Sequence, residues 1–211
     1  MVTEPATRNE RKERTRRALL DTALELLTDR GFAGLSLREV TKGAGIVPTA
    51  FYRHFASMDD LGIALVEESA RTLHETLRAA RRAHAASGDD VIAVSVRTLT
   101  EQVRAHEAHF RFLARQRYGG TDEVARAINV ELRLFASGLA VDLARYDYLR
   151  DWSNDDLHML AGLVVTAMLG TVLDLLEARG DGEAEARVAG TARKRLRLIG
   201  LGVPRWRSTG D

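Results

Sequence analysis

Imidazole is the side chain best suited to acid–base work near neutrality, and the six copies in this sequence are scattered: His54, His74, His84, His106, His109 and His158. None pairs with supporting ligands at the spacing of a hydrolase metal site. His106 and His109 lie three apart beside Glu107, on one helix face, a spacing that an ordinary surface or core pair satisfies as well. Cysteine is absent, which excludes thiolate metal sites, cysteine nucleophiles and structural disulfides and makes a reducing compartment the natural setting. Neither a Gly-x-Ser-x-Gly elbow nor a phosphate loop occurs. The expectation is a protein that is not an enzyme and holds no metal and no resident cofactor.

What the sequence offers instead is patterned charge. Within residues 8–17, six basic side chains (Arg8, Arg11, Lys12, Arg14, Arg16, Arg17) accompany two acids (Glu10, Glu13). Residues 1–57 carry ten basic and seven acidic side chains, so a front quarter at +3 precedes a remainder at −2 within a net charge of +1. The front quarter is therefore the part suited to a polyanion. Arg193, Lys194, Arg195 and Arg197, with Arg205 and Arg207 around Trp206, form a second basic cluster that reads as a solvated helix face and tail.

These groups need a frame, and the residue pattern predicts helices throughout. Only three prolines occur, and no alternating strand pattern of useful length appears. Leu20, Ala23, Leu24 and Leu27 share one helix face and predict a first helix over 14–30, closed by Gly31. Ser36 and Glu39 are spaced as a capping box, with Leu35 and Val40 as a hydrophobic staple, and they open a second helix that Gly45 ends. Pro48 suits the first position of a third, in which Phe51 and Phe55 face inward while Thr49, Ala50, Arg53 and His54 point away. Ser57 then caps a fourth helix, with Asp59 and Asp60 at its positive end, expected to reach about residue 85. Further helices are expected at 90–105, 107–117, 121–148, 154–178 and 183–199. The apolar stretch 157–176 contains His158, Gly162, Gly170 and Asp174 and reads as a buried helix rather than a membrane span. No apolar segment follows the charges of residues 1–8, so no secretory signal is expected, no membrane partner is expected, and a cytoplasmic location follows.

Two short helices around a glycine turn, the second exposing small and polar groups, have the layout of a helix-turn-helix, although any all-helical protein contains short helix pairs. The basic stretch ahead of them, and the lack of a bulky apolar residue on the third helix's outer face, favour DNA binding. From Leu19 to Leu61, above all in Gly31-Phe32, Ser36-Leu37-Arg38-Glu39-Val40, Ala44-Gly45-Ile46 and Phe51-Tyr52-Arg53-His54-Phe55, the sequence resembles the DNA-binding domain of the TetR family of repressors. The resemblance is close over the first quarter, and the chain length and helical remainder are also similar. It implies an all-α fold of about nine helices: an N-terminal arm and three-helix helix-turn-helix domain at 1–57, then a helical effector-binding and dimerisation bundle at 58–211. It also implies a homodimer on double-stranded operator DNA, probed by the third helix in the major groove and released by a small hydrophobic molecule.

Carried over residue by residue, the resemblance places Pro48, Thr49 and Ala50 at base edges and Tyr52, Arg53 and His54 at phosphates, with Arg38 able to reach a base or a phosphate. Small groups allow approach to a thymine methyl, a guanidinium can meet guanine with two hydrogen bonds, and the donors of Tyr52, Arg53 and His54 suit the backbone. Tyr52 has packing against the first helix as its competing role. Two positions depart from the family pattern. Met58 stands where many members carry a lysine, and Val47 stands where a capping serine is common, which leaves a basic arm at 8–17 to compensate along the minor groove.

Residues 36–61, together with Phe110-Arg111-Phe112-Leu113-Ala114-Arg115-Gln116-Arg117, look like the branch that represses unsaturated fatty-acid synthesis in response to long-chain acyl-CoA. An acyl chain requires an apolar tunnel, for which Phe110, Leu113, Met159, Leu163, Val164 and Met168 are candidates, and a CoA phosphate requires a cation at the mouth, for which Arg115 or Arg117 would serve. Ordinary core packing is the alternative for each apolar residue and surface ion pairing for each arginine. Dimerisation is expected through the last two long helices, over Leu160, Leu163, Ala167, Gly170 and Thr171, setting two reading helices roughly one helical turn, ~34 Å, apart on a palindromic operator. A regulator of an efflux or catabolic gene with another apolar ligand, a DNA-binding activator, and a helical scaffold are the readings left open beside it.

Overall fold

The computed structural model describes residues 7–27, 31–85 and 90–208. Among these residues the chain folds into nine α-helices and three short 3₁₀ turns, with no strand. The helices are α1 (Arg8–Leu26), α2 (Leu37–Gly43), α3 (Pro48–Phe51), α4 (Met58–Ala85), α5 (Val91–Ala105), α6 (Glu107–Gly119), α7 (Asp122–Leu143), α8 (Asn154–Glu177) and α9 (Gly182–Gly202). This is the all-α class expected.

Side-chain caps decide where most helices begin. The Thr7 hydroxyl accepts from the Glu10 N–H while the Glu10 carboxylate accepts from the Thr7 N–H at 2.7 Å, a capping box that starts α1 at Arg8. The basic stretch expected as an arm is therefore the first turns of a helix, six residues ahead of the predicted start. Ser57 caps α4 by accepting from the Asp60 N–H at 3.1 Å, and Asp60 reaches back to the Ala56 N–H at 2.9 Å. Asp90, Ser153 and Asp181 cap α5, α8 and α9 in the same way. Gly31, expected to close α1, instead has φ −75° and leads into the 3₁₀ turn Phe32–Gly34; α1 ends at Leu26, and residues 28–30 of the predicted helix lie outside the described ones. The helix expected over 121–148 stops at Leu143. A 3₁₀ turn at Asp147–Leu149 buries Leu149 to 1% exposure against Ala140, Leu157, Leu160 and Ala161.

The chain divides into two compact units, with the division falling inside α4, α6 and α7. The first comprises the described residues of Met1–Ser69 and Arg111–Ile128. Its core is built from Leu19, Val40, Phe51, Phe55, Leu61 and Phe112, each at most 2% exposed. Gly62 marks a close approach there: a Cβ on it would stand 2.7 Å from Phe32 Cζ and 2.8 Å from Val124 Cγ2. The second unit comprises the described residues of Ala70–Phe110 and Asn129–Asp211, in which α8 packs on α9 and α5. Glu185 of α9, 5% exposed, is neutralised by Arg104 of α5 and by Arg179, whose Nε also donates to Glu107 at 2.6 Å. α8 is long and apolar enough by composition to cross a membrane, and one third (33%) of its most apolar window is buried. Its inner face holds Leu157, Leu160, Ala161 and Leu175, whereas Met159, Leu163 and Leu173 are exposed, so the expectation of a buried helix holds for one face only.

Gly62→Ala should lower the unfolding free energy by about 1–3 kcal/mol, because Phe32 and Val124 must yield to the added methyl. Gly138→Ala on α7, where a Cβ meets nothing within 4 Å, should instead raise it by about 0.5–1 kcal/mol. Urea denaturation of both variants checks the pair; equal effects would contradict the packing described.

Candidate nucleic-acid interface

The interface is assembled from α2, a glycine turn and α3. At the start of α2 the Glu39 N–H donates to Ser36 Oγ at 3.3 Å, and the Ser36 N–H donates to Glu39 Oε2 at 3.0 Å, so the predicted capping box is present. Leu35 and Val40 on either side of it are 7% and 0% exposed, as a staple requires. Gly45 then adopts φ +68°, a conformation costly for any residue with a Cβ, and lets the Ile46 N–H turn back onto the Thr41 carbonyl at 2.9 Å. Val47 precedes α3 without a side-chain cap, and Pro48 occupies the first turn, where a missing N–H is harmless.

α3 is one turn long, and what holds it is aromatic. Phe51 and Phe55 are 0% and 1% exposed with ring centroids 5.6 Å apart. Tyr52 sets its ring edge-on to Phe51 at 5.6 Å yet remains 63% exposed, so it packs on the end of α3 and still faces solvent. Tyr52, Arg53 and His54 lie just past the last residue of α3, in a turn closed by the His54 N–H on the Phe51 carbonyl at 2.8 Å. Arg38, Pro48, Thr49 and Arg53 are exposed, and Ala50 and His54 are half-buried. All seven predicted DNA-binding residues thus belong to the α2–α3 segment or the turn that follows it.

His54 has an enclosed Nδ1 with no hydrogen-bond partner. Burial, and then the charges of Lys12 and Arg16, hold its imidazole below the ordinary histidine value, so it is uncharged at neutral pH. Arg16, expected only as part of a basic arm, lies over the Phe55 ring with Cζ 4.4 Å from the centroid, and its Nη1 donates to the His54 carbonyl at 3.1 Å. One signal was available for it. Arg16 precedes Leu20, Ala23, Leu24 and Leu27 at i+4, i+7, i+8 and i+11, which puts it on the inward stripe of α1.

The predicted effector residues are distributed differently. Leu113, Arg115 and Arg117 belong to the first compact unit; Phe110, Met159, Leu163, Val164 and Met168 belong to the second. Arg115, expected at a ligand mouth, donates to the Leu27 carbonyl at 3.2 Å and so closes the C-terminal end of α1. Arg117 stacks 5.2 Å over Tyr118. Met159 and Leu163 are 43% and 52% exposed, while Val164 and Met168 pack against Val96, Ala192 and Leu196. A cleft of about 260 Å³, lined by Ala93, Gly190, Arg193, Lys194 and Arg197, contains none of them. Of the residues expected to pair two copies, Leu160 and Thr171 are buried within the chain at 7% and 1% exposure and Ala167 packs beside Met168. Both faces of α8 are apolar, so its periodicity alone does not reveal which one is outward. The outward row is Met159, Leu163 and Leu173, with Leu198 and Leu201 exposed on α9.

Residues 19–65 match the family model described as bacterial regulatory proteins of the tetR family, and residues 89–197 match the tetracyclin repressor-like C-terminal domain. Solved structures of the same fold include FadR, a fatty acid degradation regulator from Bacillus halodurans, at 15% identity, covering 98% of this chain and 100% of that one with a TM-score of 0.69. FadR from Bacillus subtilis in complex with stearoyl-CoA is similar at 13% identity, 87% and 96% coverage and a TM-score of 0.66. The reduced form of NemR from E. coli is similar at 21% identity, 88% and 97% coverage and a TM-score of 0.65. With its C-terminal match spanning more than half of the chain and its helix-turn-helix match falling on the segment just described, the protein belongs to the tetR family and is a DNA-binding transcriptional regulator rather than an enzyme.

Proposed function

We propose that the protein is a dimeric repressor that grips a palindromic duplex operator and is released or tuned by a hydrophobic effector, a long-chain acyl-CoA being the favoured class. The observation that carries the DNA reading is the exposure of Arg38, Pro48, Thr49, Tyr52 and Arg53 around a helix and following turn anchored by the buried Phe51 and Phe55. Arg38, Pro48, Thr49 and Ala50 read base edges, and Tyr52, Arg53 and His54 meet the backbone. Residues 1–57 supply this interface, and residues 58–211 bind the effector and pair the copies.

The outward leucines of α8 and α9 support a homodimer, since a row of exposed large apolar side chains on adjacent helices is what a partner copy covers. The fatty-acid assignment is supported by the stearoyl-CoA held by the similar Bacillus subtilis structure and by the apolar cluster of Val96, Val164, Met168 and Leu196, to which an acyl chain would be added. Control of fatty-acid or desaturase genes from the cytoplasm follows from that effector.

Tyr52→Ala and Arg53→Ala should each weaken binding to every duplex, and Arg53→Ala should reduce the slope of log affinity against log salt by about 0.9 in gel-shift titrations. Arg38→Ala should instead cost about 1–3 kcal/mol at one base pair of the operator, and an equal loss on all operator variants would contradict its base-reading role. Leu163→Glu combined with Leu173→Glu should convert a dimer into a monomer by sedimentation; a dimer that survives both places the interface elsewhere. Addition of stearoyl-CoA to the protein–DNA complex should change its affinity about tenfold, whereas no change with any acyl chain length removes the fatty-acid role and leaves the regulator intact.

A further inference from the structure

We propose that Arg16 is a positioning residue for DNA recognition: from α1 it fixes the end of the reading helix, where Tyr52, Arg53 and His54 stand, without itself meeting a phosphate. The inference rests on the DNA reading above.

Two contacts define its place. Its Nη1 donates to the His54 carbonyl at 3.1 Å, and its guanidinium carbon lies 4.4 Å from the Phe55 centroid. Phe55 in turn stacks on Phe51 at 5.6 Å, and Phe51 meets the Tyr52 ring edge at 5.6 Å. Arg16 is thus one end of a row, Arg16–Phe55–Phe51–Tyr52, whose other end is a proposed phosphate contact. A helix of four residues is too short to hold its own shape, so the angle at which Tyr52, Arg53 and His54 leave it depends on what grips Phe55 and the His54 carbonyl. A guanidinium grips both at once, with its face on the ring and its edge on the carbonyl; an ammonium has no such flat face. Arg17 beside it is likewise engaged, with Asp21 at 3.1 Å and with Glu68.

The same placement makes Arg16 a local electrostatic element. His54 is faced by Lys12, Glu13 and Arg16 of α1 and by Arg53 of its own segment; after burial, Lys12 and Arg16 contribute most to keeping it uncharged. Removing Arg16 removes one of the charges that disfavour the imidazolium, so the imidazole should titrate at higher pH.

The test uses the full chain and a duplex selected by the wild-type protein from a random-sequence pool. Arg16→Ala and Arg16→Lys should each lose about tenfold in affinity, less than the full worth of one charge-assisted hydrogen bond and one cation–π contact because both act through the turn and not on the DNA. Both should keep the wild-type salt slope, and NMR should show His54 titrating at higher pH in Arg16→Ala. The lysine variant retains charge, helix propensity and stem, so its loss cannot be assigned to a failure to fold. Wild-type affinity in Arg16→Lys, or a salt slope shallower by about 0.9 in Arg16→Ala, makes Arg16 a phosphate contact and overturns the proposal. Unchanged affinity in both variants overturns it too while leaving the DNA reading standing. A wild-type protein that retards no duplex at low salt removes that reading, and this inference with it.

Discussion

Burial of Phe51 and Phe55 is the interaction on which the interface depends. α3 has four residues, and an isolated helix that short is not stable in water. Each phenylalanine, withdrawn almost completely from solvent, contributes about 2–3 kcal/mol, enough to hold α3 and the turn that follows it against the core. Because the two are four apart, the residues they bracket divide by geometry. Tyr52 and Arg53 are left exposed and His54 half-buried while the phenylalanines lie inside. The reading surface is in this sense a by-product of its own anchor.

The rest of the first compact unit serves that anchor. Gly45 turns the chain so that α3 begins where Phe51 meets the core, and the Ser36–Glu39 box fixes where α2 arrives at the turn. From the other side α1 contributes a cation rather than another leucine, and the Arg16 guanidinium closes the aromatic row at Phe55. The cost of enclosing charge here falls on His54, whose imidazole stays neutral with an unpartnered Nδ1. Family membership and an exposed polar surface held on a rigid apolar base agree on what this unit does.

Much of this was legible in the sequence because it is local. Ser36 with Glu39, Gly45, Pro48, and Phe51 with Phe55 each act within a few residues, and each stands where the spacing placed it. The features that escaped have distant partners or ambiguous faces. Arg16 finds its partner 38 residues away, so among the six basic and two acidic side chains of residues 8–17 it read as part of an arm along the minor groove. Arg115 answers the open carbonyl of Leu27, 88 residues distant, and was assigned to a ligand for want of that contact. In α8 both faces are apolar, so Leu160, Ala167 and Thr171 were set on the outer surface although they pack inward. The start of α1 was missed for a simpler reason: Thr7 and Glu10 form a capping box before any apolar periodicity begins.

Backbone amide NMR of the full chain during titration with the selected duplex tests the central claim directly, because it reports every contact region at once. The largest shifts should fall at Arg38, at Val47 and from Thr49 to His54, with the outward face of α8 and α9 unmoved. Shifts confined to the basic cluster of Arg193, Lys194 and Arg197, with the α2–α3 segment unchanged, would contradict it.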